Sequence, residues 1–347
     1  MPLFKKASRP PPAQPAAQPQ KGLPTDELMG DPAAHWFRGE LAQGRWQELH
    51  DFLYGARDWD DRNFYVSALA DINGRPDWLD EWVAARPGSP TPLLFRGTHR
   101  TLWAWQARGS GRATTVATDA WAVFHGRLVE ADRDLARAAA MDGADPTPHA
   151  RSLWTAIGLQ LGQPEIRRRF GEVTRRHRGH VAAHSSMVQA LAAKWYGSHE
   201  EMFEFARSAS AQAPEGHSVH RVIAQAHLEK WLNLSRESPD GKARQAAYFS
   251  DEPVKNEIRW AADRSIRSPG YTTGRITPGD LNIFAMCFSL MHDFDALLEQ
   301  MHLIGPLIHP SPWNYQGDPG VVYEGARNRA LQATQGGAPA GRGTWVP

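Results

Sequence analysis

The chain has 347 residues, 41% of them hydrophobic, a formal net charge of +1 and one cysteine. That is enough apolar sequence for two ordinary domains or one extended repeat array, while the near-neutral charge gives no bulk attraction to nucleic acid or to an anionic membrane. The single Cys287 excludes an intramolecular disulfide framework and any zinc site built from several cysteines.

Residues 1–28 are rich in Pro, Ala and Gln and poor in large apolar side chains, so they are expected to form a disordered tail. Gln335 to Pro347 has the same composition and is expected to be a second flexible tail. The start, M-P-L-F-K-K-A-S-R, lacks the continuous apolar region of a secretory signal. No later run is long and apolar enough to span a bilayer, and the expected location is the cytoplasm. The fold is therefore expected within 29–334. Abundant Arg over Lys, with many Ala, Gly, Pro and Trp residues, is a bias associated with GC-rich bacterial genomes.

Between the tails, helix signals follow one another and strand signals are nearly missing. Asp31-Pro32 opens a helix through Trp36, Phe37 and Leu41; Gly44 punctuates, and Trp46, Leu49, Phe52 and Leu53 form the next apolar face. Gly74 precedes Leu79 and Val83, and Gly126 precedes Ala131, Leu135 and Ala138. The run Arg108 to Thr118, R-G-S-G-R-A-T-T-V-A-T, reads as a flexible insertion loop. Gly162 makes another turn, although Arg167 occupies the central position of its helix, where a small residue is wanted.

The clearest segment runs from Lys194 to Pro214. Ser198 and Glu201 form a capping box, Met202, Phe205, Ala206 and Ala209 recur at helical spacing, and Pro214 ends the helix. Beyond it, Gly216 or Ser218 can cap a helix carrying Val222, Ala226 and Leu234, which Asp240-Gly241 breaks. Ile258, Trp260 and Ala261 mark the next helix, Pro278 fits the first turn of another, and Phe294, Leu297, Leu298 and Met301 a further one. The total is about fourteen helices in pairs.

The unit Gly44, Trp46, Leu49, Leu53, Ala56 resembles the second half of a tetratricopeptide repeat. Steps of 36 from Gly126 to Gly162 and 35 from Gly162 to Gly197 lie close to the roughly 34-residue period of that class. The segment from His180 to Leu234 resembles a bacterial family of uncharacterised function whose members contain a tetratricopeptide-like helical region. The residues carrying the likeness are K-W-Y-G-S-H-E-E-M-F-E-F-A-R and A-H-L-E-K-W-L. It implies a fold and no activity, substrate or cofactor. The expected fold class is all-α, an α-α superhelix of the tetratricopeptide-like solenoid type with disordered tails, in which each helix pair completes its core by stacking on its neighbours. An irregular all-helical globule is the alternative.

Candidate chemistry rests on a few side chains. His184 and His227, with Glu229 nearby, are the ligand types zinc or iron prefers, and adjacent helices could bring them together; the alternative is that both histidines are buried and neutral. His177, His180 and His184 lie in a cationic stretch that disfavours a metal cation. Arg167, Arg168, Arg175, Arg176 and Arg178 form a basic face that could contact phosphate, RNA or an acidic partner, although it lacks interleaved aromatics for base stacking.

Most of the 14 tryptophans fall at packing positions. Trp103 and Trp105, on different helix faces beside the loop, are the candidate aromatic anchors for a partner. Cys287 lies in an apolar run as a small buried hydrophobe. The G-S-G-R-A-T-T run has no Walker lysine, and Asp60-Asp61 and Glu200-Glu201 read as first-turn charges.

The leading expectation is a protein–protein interaction scaffold rather than an enzyme, holding another protein or peptide on a concave face without a cofactor. The alternatives are a metal-dependent enzyme centred on His184 and His227, or a nucleic-acid-contacting module using Arg167–Arg178.

Overall fold

The computed structural model describes residues 22–56, 58–108, 118–195 and 197–336. Among them the chain is all-helical, with seventeen α-helices and no strand. Short helices such as Gly241–Ala247 and Pro310–Trp313 raise the number above the fourteen or so expected, because segments this brief carry no periodic signal. No helix among the described residues is long and apolar enough to cross a membrane.

The first unit comprises α1 (Pro32–Leu41), α2 (Gln47–Gly55), α3 (Trp59–Leu69) and α4 (Trp78–Ala85). Asp31 caps α1 by accepting from the Ala34 amide at 2.8 Å, with Pro32 in the first turn, as the sequence predicts. Gly44 and Gly74 adopt φ of +75° and +78°, left-handed values that a residue with a Cβ resists. Phe37, Leu49, Leu53, Tyr65 and Trp82 make the core of this unit, together with Leu28.

Leu28 is wholly buried, and the Asp26 amide donates to the Ile308 carbonyl at 2.9 Å. The fold thus begins before the boundary at 28 that composition indicates, because Leu23 and Leu28 are apolar anchors within an otherwise polar stretch. The remaining tail residues, 1–21 and 337–347, and the loop residues 109–117 lie outside the described residues.

Two long helices follow, α5 (Thr91–Arg108) and α6 (Thr118–Met141), packed against each other, and then α7 (Thr147–Gly158). Gly126 is not a turn: it lies inside α6, and Ala131, Leu135 and Ala138 continue the same helix. Close approach here depends on other glycines. A Cβ on Gly97 would meet Leu135 at 2.9 Å, and one on Gly158 would meet Leu128 at 2.4 Å and Phe124 at 2.9 Å.

The chain continues through α8 (Gly162–Arg176), α9 (Val181–Leu191), α10 (His199–Gln212) and α11 (Arg221–Glu237). After α12 (Gly241–Ala247) and α13 (Glu252–Asp263) come α14 (Thr277–Met291), α15 (Phe294–Ile304), α16 (Pro310–Trp313) and α17 (Pro319–Gly336). Ser198 caps α10 as expected, accepting from the Glu201 amide at 3.1 Å. The Glu201 carboxylate does not turn back to complete the box; it accepts from Gln163 at 3.2 Å and so ties α10 to α8. Met202 and Ala206 are fully buried, whereas Trp260 is exposed on α13. Helices two apart in the chain also touch: α7 with α9, α9 with α11, α11 with α13 and α15 with α17.

A second apolar core runs from Ala150 to Ala330, separate from that of the first unit. The two meet across a polar seam organised by α3, which touches α7 and α9. Arg62 donates to Asp145 at 2.9 Å with both side chains buried, and Ser67 accepts from Arg151 at 2.7 Å. Arg275 pairs with both Asp31 and Asp61. Buried charges persist only when paired and hydrogen-bonded, as Arg62 and Asp145 are, and this pair anchors α3 at the seam.

Candidate functional site

A cleft of about 780 Å³ opens where the C-terminal ends of α8 and α10 flank the start of α9. Phe170, one of the stripe residues that pack α8 with Ile166 and Val173, meets Phe205 of α10 edge-on at 5.4 Å between ring centres. His184 of α9 packs edge-on against Phe170 at 5.0 Å and stacks on Phe205. These three rings form an amphipathic floor. Arg175, His177 and Arg178 stand at one rim and His217 at another, and no carboxylate is among the described lining residues.

The histidines differ in state. His184 Nδ1 donates to the His180 carbonyl at 2.9 Å, leaving Nε2 as an acceptor, and burial lowers its pKa. His217 Nδ1 accepts from the Val219 amide at 3.1 Å, so Nε2 carries its proton; burial lowers its pKa as well. His177 is the exception. Its hydrogen bond to Asp60 raises its pKa against the opposing effect of burial. A Cβ on Gly179 would lie 2.6 Å from His217 Nε2, so that position must stay small for the His217 ring to lie there.

The basic face is less basic than its sequence. Arg168 pairs with Glu165 at 2.7 Å, Arg175 and Arg176 both pair with Glu172, and Arg169 is buried against Asp132 and Glu165. Glu165 is held down to about 2, chiefly by its bond to Arg168. Arg167 is exposed. A face whose charges alternate within one helix turn presents little net field to a nucleic acid.

The structure does not bring His184, His227 and Glu229 together. His227 accepts from the Tyr248 hydroxyl at 2.7 Å and donates to Glu257 at 3.2 Å. Glu229 accepts from Gln189 and from Lys194, the latter at 2.6 Å. His184 faces the cleft instead. Shared helix spacing put the residues on neighbouring helices, but each is committed to a different network. Among the described residues no group of three or more His, Cys, Asp or Glu could hold a metal ion.

Trp105 is not an exposed anchor: it packs edge-on against Phe124, Trp154 and Trp195, with the Arg108 guanidinium 5.5 Å from its ring centre. Trp103 is stacked between His99 and the Arg127 guanidinium, beside a smaller cleft of about 280 Å³. Cys287 is fully buried, and burial pushes its thiol up, in keeping with a packing role.

Asp60 is the residue that local sequence signals under-read. It does sit in the first turn of α3, as expected, but it also accepts from His177 Nε2 and from the Val181 amide, each at 2.9 Å. Burial alone would raise its carboxyl; the His177 bond, the nearby His180 and the Val181 amide outweigh this and hold it low. The available signal was W-D-D-R-N-F-Y-V-S-A-L, a helix with polar and large apolar residues on every side, which marks burial all round. No family model matches the sequence, and neither a curated protein nor a solved structure matches the chain.

Proposed function

We propose that this chain is a non-catalytic scaffold, a tetratricopeptide-like superhelix that holds an acidic segment of a partner protein in the cleft between α8, α9 and α10. The contacts between helices two apart in the chain support the superhelical reading, since stacked helix pairs touch in that alternating way. The proposal includes the bacterial tetratricopeptide-like likeness expected for residues 180–234 and a location in the cytoplasm. One observation carries the choice of ligand: a 780 Å³ cleft with an aromatic floor and no carboxylate among its described lining residues, at whose rim Arg178 bonds to Gln212 at 3.1 Å while Arg175 and His177 already share their charge with Glu172 and Asp60. Arg and aromatic side chains dominate binding energy at interfaces, and a peptide carboxylate complements this rim.

Fluorescence polarisation with a labelled peptide of glutamates around a central Phe tests the reading, with the lysine counterpart as control. The acidic peptide binds and the basic one does not; Arg178→Glu weakens binding by about tenfold or more, and raised salt weakens it further. Equal affinity for both peptides, or none for either, overturns the proposal.

A further inference from the structure

His184 lines the cleft between α8, α9 and α10, flanked by the rings of Phe170 and Phe205, which are themselves only partly buried. The bond from its Nδ1 to the His180 carbonyl fixes the tautomer, so Nε2 presents a lone pair and no proton. His184 is 7% exposed, yet its Nε2 is not sealed in the way His180 Nε2 is, and no group among the described residues donates to it. Burial lowers the pKa of the ring, which keeps that lone pair free at neutral pH.

The donors that line the cleft are committed elsewhere. Arg178 donates to Gln212 at 3.1 Å, Arg175 to Glu172 at 2.7 Å and the Thr174 hydroxyl to the Phe170 carbonyl at 3.2 Å. His177 is bonded to Asp60, and His217, whose Nε2 carries its proton, makes no bond to His184. While the cleft is open, solvent can serve His184 Nε2. A ligand that covers the floor removes that solvent, and the acceptor is then left unpaired unless the ligand brings a donor of its own.

The carboxylates of an acidic segment only accept at neutral pH, so they cannot fill this position. Phe170 and Phe205 call for a flat apolar group. A phenylalanine answers the rings alone, and a serine or threonine hydroxyl answers the lone pair alone. A phenol answers both, with its donor at the tip of the ring, where it reaches a recessed nitrogen. Taking the cleft as the peptide site proposed above, we infer that it selects a tyrosine as the aromatic anchor of the acidic segment, the phenol O–H donating to His184 Nε2.

Fluorescence polarisation on the full chain tests this with labelled glutamate peptides that differ only in the central residue: tyrosine, phenylalanine, or 4-methylphenylalanine, which matches tyrosine in size and has no donor. The tyrosine peptide is expected to bind about tenfold or more tightly than either of the others. His184→Phe keeps an aromatic ring and removes the acceptor, and should bring all of them to within about twofold of one another. If that variant does not fold, the comparison of tyrosine with 4-methylphenylalanine in the parent decides alone. Equal affinity of the parent for those two peptides, or a tyrosine preference that survives in folded His184→Phe, overturns the inference and leaves the acidic-peptide reading standing. No binding of any of the peptides overturns both.

Discussion

The Asp60 carboxylate on α3 accepts a hydrogen bond at 2.9 Å from Nε2 of His177, a residue 117 positions later at the end of α8. This contact ties the first helical unit to the wall of the cleft. Its strength follows pH from both sides. His177, whose pKa is raised in the fold by Asp60, contributes stability that is fully present below its unfolded value near 6.5 and lost as pH rises through the folded value. Asp60, held low despite burial, contributes stability present above the unfolded value near 3.8 and lost as pH falls through the folded one. The stability difference between the parent and Asp60→Asn, measured by urea denaturation, should therefore be greatest between about pH 4 and 6.5 and shrink on either side. A difference constant from pH 4 to 9 would count against this pairing.

His180, next along the chain, should make the protein acid-sensitive. It is wholly inaccessible to solvent, its Nε2 has no partner, and burial brings its pKa down to about 4 although Asp60 opposes this. Asp60, His177 and His184 surround it. Between pH 6.5 and 4 the unfolded chain binds a proton at this position that the folded chain refuses, so stability falls as pH falls across that window. The contribution is on the order of 2–3 kcal/mol. Asparagine can replace the cap that His180 Nδ1 gives the Ala183 amide. His180→Asn should flatten the dependence of melting temperature on pH between 6.5 and 4; an unchanged slope would assign the acid sensitivity elsewhere.

Local signals made much of this fold readable. The Asp31 and Ser198 caps, the Gly44 and Gly74 turns and Pro278 in the first turn of α14 all depend on residues within a few positions of one another. The polar seam was not legible, because periodicity assigns polar side chains to the outside. Asp60, Arg62, Asn63 and Ser67 are turned inward by partners or cavities formed by distant chain. The cleft was half legible: Arg175 and His184 were singled out, but the turn that places them beside Phe205 and His217 is a tertiary property. Glycine misled most, since the same residue serves as a turn at Gly74, a close-packing point at Gly158 and an ordinary helical position at Gly126.

These glycine roles predict opposite substitution effects. A Cβ on Gly197 would lie 2.1 Å from the Leu191 carbonyl oxygen, a backbone atom that cannot step aside, so Gly197→Ala should disrupt the entry to α10. Gly126 has open space around it within α6. Gly126→Ala should stabilise by about 0.5–1 kcal/mol through reduced unfolded-state entropy and better helix propensity. Thermal denaturation of the two variants checks the contrast, and equal losses for both would contradict it.

The Arg62–Asp145 pair should dominate the stability of the seam. Both side chains are almost fully buried; Arg62 also donates to the Leu53 carbonyl, and Asp145 also accepts from the Thr147 amide at 2.7 Å. Removing one partner leaves the other ion buried and underpaired, at a cost of about 3–5 kcal/mol. Arg62→Met and Asp145→Leu should each cost that much in chemical denaturation. The double variant should be less destabilised than the sum of the two, because it leaves no uncompensated buried charge. Strict additivity in the double-mutant cycle would mean that the two groups act separately, as a cap on α7 and an anchor for α2, rather than as one ion pair joining the two cores.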